Sequence, residues 1–217
     1  MDSVLDERFN LFDLLDPGVL KEVCEEYANT FDLGMVILNN DRKELIAICP
    51  DKKFCTALKE GGAKEKCREA QKRLARHPME GQQVIQMKIN CGLRYAIFPL
   101  TYQFDNLGRV IVGPYRDSES TPDKIMRQQE QNASKPINTE MIEQVPAFSQ
   151  KRLKITVSLL VKIINSFIFI NAKRLISTRL HLDAIYGSRE EIFKQVELQK
   201  TGTEEEKEEI EKLKNMF

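Results

Sequence analysis

The sequence predicts an α+β domain: a five-stranded antiparallel sheet with helices inserted between its second and third strands, followed by a long C-terminal helix. Short apolar runs pair across polar turns, once before residue 50 and again after residue 82, which is the pattern of β-hairpins. A basic helical segment, Lys64–Arg76, lies between those pairs, and apolar residues recur at close to heptad spacing after Ser149. At 217 residues and 41% hydrophobic, the chain can bury one substantial core with a helical appendage.

Each element has its own signal. Asp16-Pro17 is a helix start, a carboxylate cap before proline at the first helical position; Leu20, Val23, Cys24 and Tyr27 then mark one apolar face. Runs 33–38 and 44–49 flank the turn Asn39-Asn40-Asp41-Arg42 and form the first hairpin. Asp51 is placed to cap a short helix over 52–58, Gly61-Gly62 interrupts it, and a second helix runs from Ala63 until His77-Pro78. In that helix Ala63, Cys67, Ala70 and Leu74 are the small or apolar stripe, so Cys67 faces inward.

Strand character returns over 82–90, where Ile85, Met87, Ile89 and Cys91 share one parity. Runs 92–101 and 109–115 make the second hairpin around a turn at Asp105-Asn106-Leu107-Gly108. Thr121-Pro122 opens a helix, and 138–144 supplies another turn or two. The long helix carries Leu153, Val157, Leu160, Ile164, Phe167 and Asn171 along one seam. At the end, Thr203-Glu204-Glu205-Glu206 has capping-box spacing, and Ile210, Leu213 and Phe217 form a narrow apolar stripe.

Charge excludes some functions. Lys plus Arg and Asp plus Glu are 33 each, so no global field favours a polyanion, and no nucleic-acid partner is expected. The six positive and two negative residues of Lys64–Arg76 read as a solvated helix face. The first seven residues lack the basic start and apolar run of a secretory signal, so a cytoplasmic location is expected. The most apolar stretch, 155–170, carries Lys162 and Asn165 and falls short of the roughly 20 apolar residues of a membrane span, so no membrane role is expected.

Phe54-Cys55, Cys67-Arg68, Cys91-Gly92-Leu93, Phe98-Pro99-Leu100, Gly108 and Gly113-Pro114 occur in ordered succession over about sixty residues, and in this order they resemble the PocR sensory domain family. The resemblance implies a PAS/GAF-like fold over 1–148 that binds a small molecule, suggested for the family to be a simple hydrocarbon derivative. It also implies that Cys55, Cys67 and Cys91 are carried-over positions and that Gly92, Leu93 and Gly113 shape the site. Residues 149–217 would then be a long helix and helical tail for dimerisation and signal transmission. No helix-turn-helix or kinase module fits in the remaining residues, so the signal is expected to pass through a homodimer or a signalling protein partner. The alternative is a protein-interaction adaptor, a degenerate sensor that docks through its C-terminal helices.

The cysteines leave three chemistries open. They can pack as small hydrophobes. Cys55, Cys67 and Cys91, with Cys49 or an exogenous group as a fourth ligand, can hold zinc or an iron–sulfur cluster, because both inserted helices must pack on the sheet face that carries Cys91. Or Cys67, beside Lys64, Lys66, Arg68 and Lys72, can act as a redox thiol if it reaches the surface. For an organic ligand, Tyr95, Phe98, Phe104 and Tyr115 are the aromatic candidates, and Arg94 is a cation positioned to clamp a carboxylate. The histidines, His77 and His181, are not placed beside a cysteine by any sequence argument, so no catalytic Cys/His pair, and no enzyme, is expected.

Overall fold

The computed structural model describes residues 9–49, 53–79, 83–130, 139–201 and Lys212. Its elements are α1 (Leu11–Leu14), α2 (Pro17–Phe31), β1 (Met35–Asn39), β2 (Glu44–Ile48), α3 (Lys53–Leu58), α4 (Lys64–Arg76), β3 (Ile85–Lys88), β4 (Arg94–Tyr102), β5 (Asp105–Asp117), α5 (Pro122–Glu130), α6 (Thr139–Glu143), β6 (Ala147–Phe148) and α7 (Gln150–Thr201). A π-helical turn, Lys59–Ala63, joins α3 to α4, with Gly62 at φ 92°. The sheet order is β2-β1-β5-β4-β3 with antiparallel neighbours, and β6 adds a short parallel pairing to β5. This is the expected antiparallel α+β architecture with inserted helices and a long C-terminal helix.

Local chemistry explains the boundaries. The Asp16 carboxylate accepts from the Gly18 and Val19 amides at 2.7 and 3.3 Å, capping α2 ahead of its first-turn proline. The second hairpin turns at Gln103-Phe104 rather than at 105–108: Gln103 has φ 53°, and β5 already begins at Asp105. A register shift at Leu100/Thr101 absorbs the difference. Gly108 is then a strand residue at φ 154° whose missing Cβ lets β1 approach; a Cβ there would lie 2.1 Å from the Leu38 carbonyl oxygen. The third strand is shorter than the alternation suggests, ending at Lys88, and Cys91 sits in the β3–β4 turn, where Gly92 has φ 80°. The third strand also begins late, at Ile85, with Gln83 and Val84 outside it. The Asp51 cap and the C-terminal capping box with its stripe lie outside the described residues.

The two sheet faces are covered differently. On one face α4 packs over Val36, Leu38, Ile97 and Ile111, with Leu74 fully buried among them, while Phe54 and Leu58 of α3 and Ala63 of the π turn pack with Cys91, Leu93, Ile125 and Ile142. The carbonyl of His77, at the end of α4, accepts from the Arg109 guanidinium at 2.6 Å, which ties the helix end to β5. The other parity supplies Met35, Ile37, Ala96, Phe98, Val110 and Val112, all buried.

On α7 the buried residues include Leu153, Val157, Leu160, Ile164 and Ile168. The seam departs from strict heptad spacing after Ile164, where Ile168 replaces the expected Phe167. A straight helix of 3.6 residues per turn drifts off a 3.5 repeat, and burial follows the helix. The Tyr27 hydroxyl donates to the Thr156 carbonyl at 2.8 Å, and the Asn171 amide donates to the Leu14 carbonyl at 2.7 Å, fixing the register of α7 against α2 and α1.

The chain divides into a compact unit, Arg8–Asn171, and a second unit that contains the rest of α7. In the second unit Leu175, Leu182, Ile185, Ile192 and Val196 are exposed and fall at heptad a and d spacing. By length and composition alone α7 is also long and apolar enough to cross a membrane.

Candidate ligand-binding site

A cavity of about 460 Å³ lies between the sheet and the α3–α4 layer. Its volume is in the range of small-molecule sites. The walls are mainly aliphatic, from Val36, Leu38, Leu58, Leu74, Ile89 and Ile111. The exposed lining residues mark the mouth: Glu44, Ala47 and Cys49 on the β2 side, and Lys59, Arg68, Gln71 and Lys72 on the helix side. The mouth lies at β2 because β2 is an edge strand, with no neighbour to close that side.

All four singled-out cysteines, Cys49, Cys55, Cys67 and Cys91, line this one cavity. Four different segments bring them there. Cys49 follows β2 with the parity of Ala47, which pairs with Val36 on the cavity face. Cys55 is on α3 beside the fully buried Phe54, Cys67 is half-buried on α4, and Cys91 is held in the turn before Leu93. The chain is thus folded so that cysteines far apart in sequence share one wall. None is in a disulfide.

The environment keeps several of these sulfurs protonated. Burial pushes the Cys91 thiol up to about 12, opposed by a hydrogen bond from the backbone at Leu93 and reinforced by Cys55 and Cys67. Burial also raises Cys67 and Cys49, with Lys59 pulling both back down and Glu44 adding to the rise at Cys49. Neutral thiols in an apolar wall behave as small polarisable hydrophobes. Among the described residues no three His, Cys, Asp or Glu side chains are grouped closely enough to hold a metal ion. The four cysteines line the wall of the cavity, with Cys55 and Cys67 near enough to Cys91 to act on its thiol.

Tyr95 is the aromatic residue that faces the cavity. Burial, followed by the neighbouring Cys55, Cys91, Cys67 and Cys49, drives its phenol well above its usual value, so the hydroxyl stays protonated amid the four sulfurs. Its ring lies against the backbone of Gly113, where φ is 146° and a Cβ would approach the ring carbon Cδ1 to 2.7 Å. Gly113 is a shaping residue in that literal sense.

The remaining sequence candidates lie elsewhere. Phe98 has the opposite parity to Tyr95 and lines a separate cleft of about 750 Å³ beside α7. Tyr115 also leaves the cavity face: the β4–β5 register shifts between Arg94 and Ala96, so Gly113 and Pro114 oppose Tyr95 alone. That bulge turns Tyr115 towards β3 and β6, where its hydroxyl lies 3.2 Å from Gln86 Oε1 and its ring packs edge-on to Phe148. Arg94 is paired with Asp117 at 3.2 Å and does not line the cavity. Phe104 is fully exposed at the tip of the hairpin. Sequence reasoning placed Arg68 and Lys72 beside Cys67 but missed Lys59 and Ala47, since a charged or small residue on a mouth has no periodic signature.

The model of the sensory domain found in PocR matches residues 13–172 of the chain. The chain belongs to the PocR sensory domain family. The match takes in every element from α2 to β6 and α7 as far as Ala172, so the cavity lies wholly within the PocR domain. Comparison with curated proteins and with solved structures gave no match.

Proposed function

We propose that this PocR domain is a non-catalytic, cytoplasmic sensor that binds a small, largely apolar organic molecule in the cavity under α3 and α4. The observation that carries the reading is the cavity itself, lined by aliphatic groups, thiols and the Tyr95 phenol, with the charged side chains at its mouth. Burying a ligand methylene there contributes about 0.8 kcal/mol, while the tyrosine hydroxyl orients a single acceptor. The cysteines act in this reading as wall atoms.

The reading is tested by thermal shift with straight-chain alcohols and diols of increasing length. Alcohols that fill the cavity raise the melting temperature in proportion to occupancy. Ala47→Trp, at an exposed rim position, blocks the mouth without touching the core and abolishes the shift. A wild-type domain that no member of the series stabilises, or a shift that survives Ala47→Trp, would overturn it.

For output we propose a homodimer through α7, in which ligand binding favours one arrangement of the paired helices. Leu175, Leu182, Ile185, Ile192 and Val196 expose a heptad stripe that a second copy would cover, and an unpartnered helix of this kind is marginal in water. Ile185→Glu with Ile192→Glu in the full chain is expected to sediment as a monomer where the wild type sediments as a dimer. A wild-type monomer whose stripe instead binds a signalling protein would favour the adaptor alternative. Neither nucleic acid nor membrane enters this proposal.

A further inference from the structure

The polar groups of the cavity are unevenly placed. The helix side of the mouth carries Lys59, Arg68 and Lys72, and the strand side carries Glu44. Arg68 is engaged with Glu65 at 3.6 Å, whereas Lys59 and Lys72 have no ion-pair partner among the described residues. Lys59 is close enough to Cys49 and Cys67 for its charge to act on both sulfurs, and the same two sulfurs act on the Tyr95 phenol. Lys59, Lys72 and Tyr95 all line the one cavity, the two lysines exposed at its mouth and the half-buried tyrosine further in, so a ligand that enters between them meets both kinds of donor.

We propose that the cavity takes a monocarboxylate with an apolar body, its carboxylate held by Lys59 and the Tyr95 hydroxyl with Lys72 beside them, and its body laid along the aliphatic and thiol wall. The inference rests on the cavity reading above and specifies the chemistry of the ligand. A carboxylate accepts from an ammonium and a phenol at once, and charge-assisted bonds at a partly desolvated mouth are about twice as strong as neutral ones. An alcohol satisfies only the phenol and leaves the ammonium unpaired. An amine would place a second cation beside Lys59 and Lys72.

The probes are octanoate, 1-octanol and octylamine, with affinities measured by calorimetry on the full chain at low and physiological salt. Octanoate is expected to bind about tenfold or more tightly than 1-octanol, and octylamine more weakly than either. Lys59→Gln, at an exposed position that leaves the core intact, is expected to bring octanoate to within about threefold of 1-octanol, and Lys59→Arg to restore the preference. Tyr95→Phe is expected to weaken octanoate and 1-octanol alike. Equal binding of octanoate and 1-octanol, or a preference unchanged in Lys59→Gln, overturns the carboxylate inference and leaves the cavity reading standing. Failure of all three probes to bind overturns both.

Discussion

Gly108→Ala is expected to cost this protein about 3 kcal/mol or more, a large share of the stability of an ordinary domain. The methyl group would stand 2.1 Å from the Leu38 carbonyl oxygen and 2.9 Å from the Asn39 Cα. Both are backbone atoms of β1, so no side-chain rotation relieves the clash. The φ of 154° adds strain for any residue with a Cβ. Relief would require β1 and β5 to separate, and β1 carries Val36 and Leu38 on the cavity face with Met35 and Ile37 beneath. Urea unfolding followed by circular dichroism gives the comparison. Gly187→Ala is the control, since nothing lies within 4 Å of that Cβ and a helix gains up to about 1 kcal/mol from the exchange. A Gly108→Ala midpoint equal to that of the wild type would show that β1 and β5 do not approach in this way.

Thiol reactivity should separate the cysteines by orders of magnitude. Cys49 is exposed, while Cys24 and Cys91 are buried and pushed up to about 11 and about 12 from an ordinary value of 9.0. At pH 8 this lowers the reactive thiolate of Cys24 about 100-fold and that of Cys91 about 1,000-fold, before any steric protection. Iodoacetamide followed by peptide mass spectrometry should label Cys49 first and leave Cys24 and Cys91 unmodified until the chain unfolds. The same shifts give a pH dependence. In the folded state these acids keep their protons above pH 9, where the unfolded chain releases them. Their contribution to stability is therefore complete below about pH 9 and is lost as pH rises towards 12. Tyr27 and Tyr115, also raised by burial, act in the same direction above pH 10. The urea midpoint should hold steady from pH 7 to 8.5 and fall beyond it. Labelling of Cys91 at the rate of Cys49 in native protein would contradict the buried turn.

In the proposed sensor a signal would cross the sheet. The cavity lies on the Val36 and Ile111 face and the start of α7 lies beside Phe98 on the other, so ligand occupancy would reach α7 through strand positions or their ends. Gln86 is placed for this: near the Tyr115 hydroxyl on one side, it donates through its amide to Gln150 Oε1 at 2.8 Å at the start of α7. The bulge at Gly113-Pro114 connects the two faces, since Gly113 supports Tyr95 in the cavity and Tyr115, two residues on, reaches Gln86.

The sequence by itself determined the elements and most of their inward faces. Alternation over Ile85–Ile89 and the Ala70–Leu74 stripe each report a local period, and burial follows a local period wherever the backbone is regular. The Asp16-Pro17 start and the Gly61-Gly62 break were equally legible, because capping and glycine conformation act within a turn of chain. The ordered cysteine and glycine positions were enough to point to the PocR family.

Tertiary structure decided what depends on irregular backbone or on pairing at a distance. A bulge in β5 opposite Tyr95 reverses the parity that follows it, so Tyr115 leaves the cavity face while Tyr95 keeps the alternation of Ile97, and no alternation pattern contains that extra residue. Arg94 was a plausible clamp until Asp117, across the hairpin, was seen to hold it. The four cysteines were identifiable as a group, but whether they met at a point or around a space depended on the packing of α3 and α4 over the sheet. The mouth was hidden for the same reason: Lys59 joins Lys72 in lining one opening only when a π turn and a helix close over an edge strand.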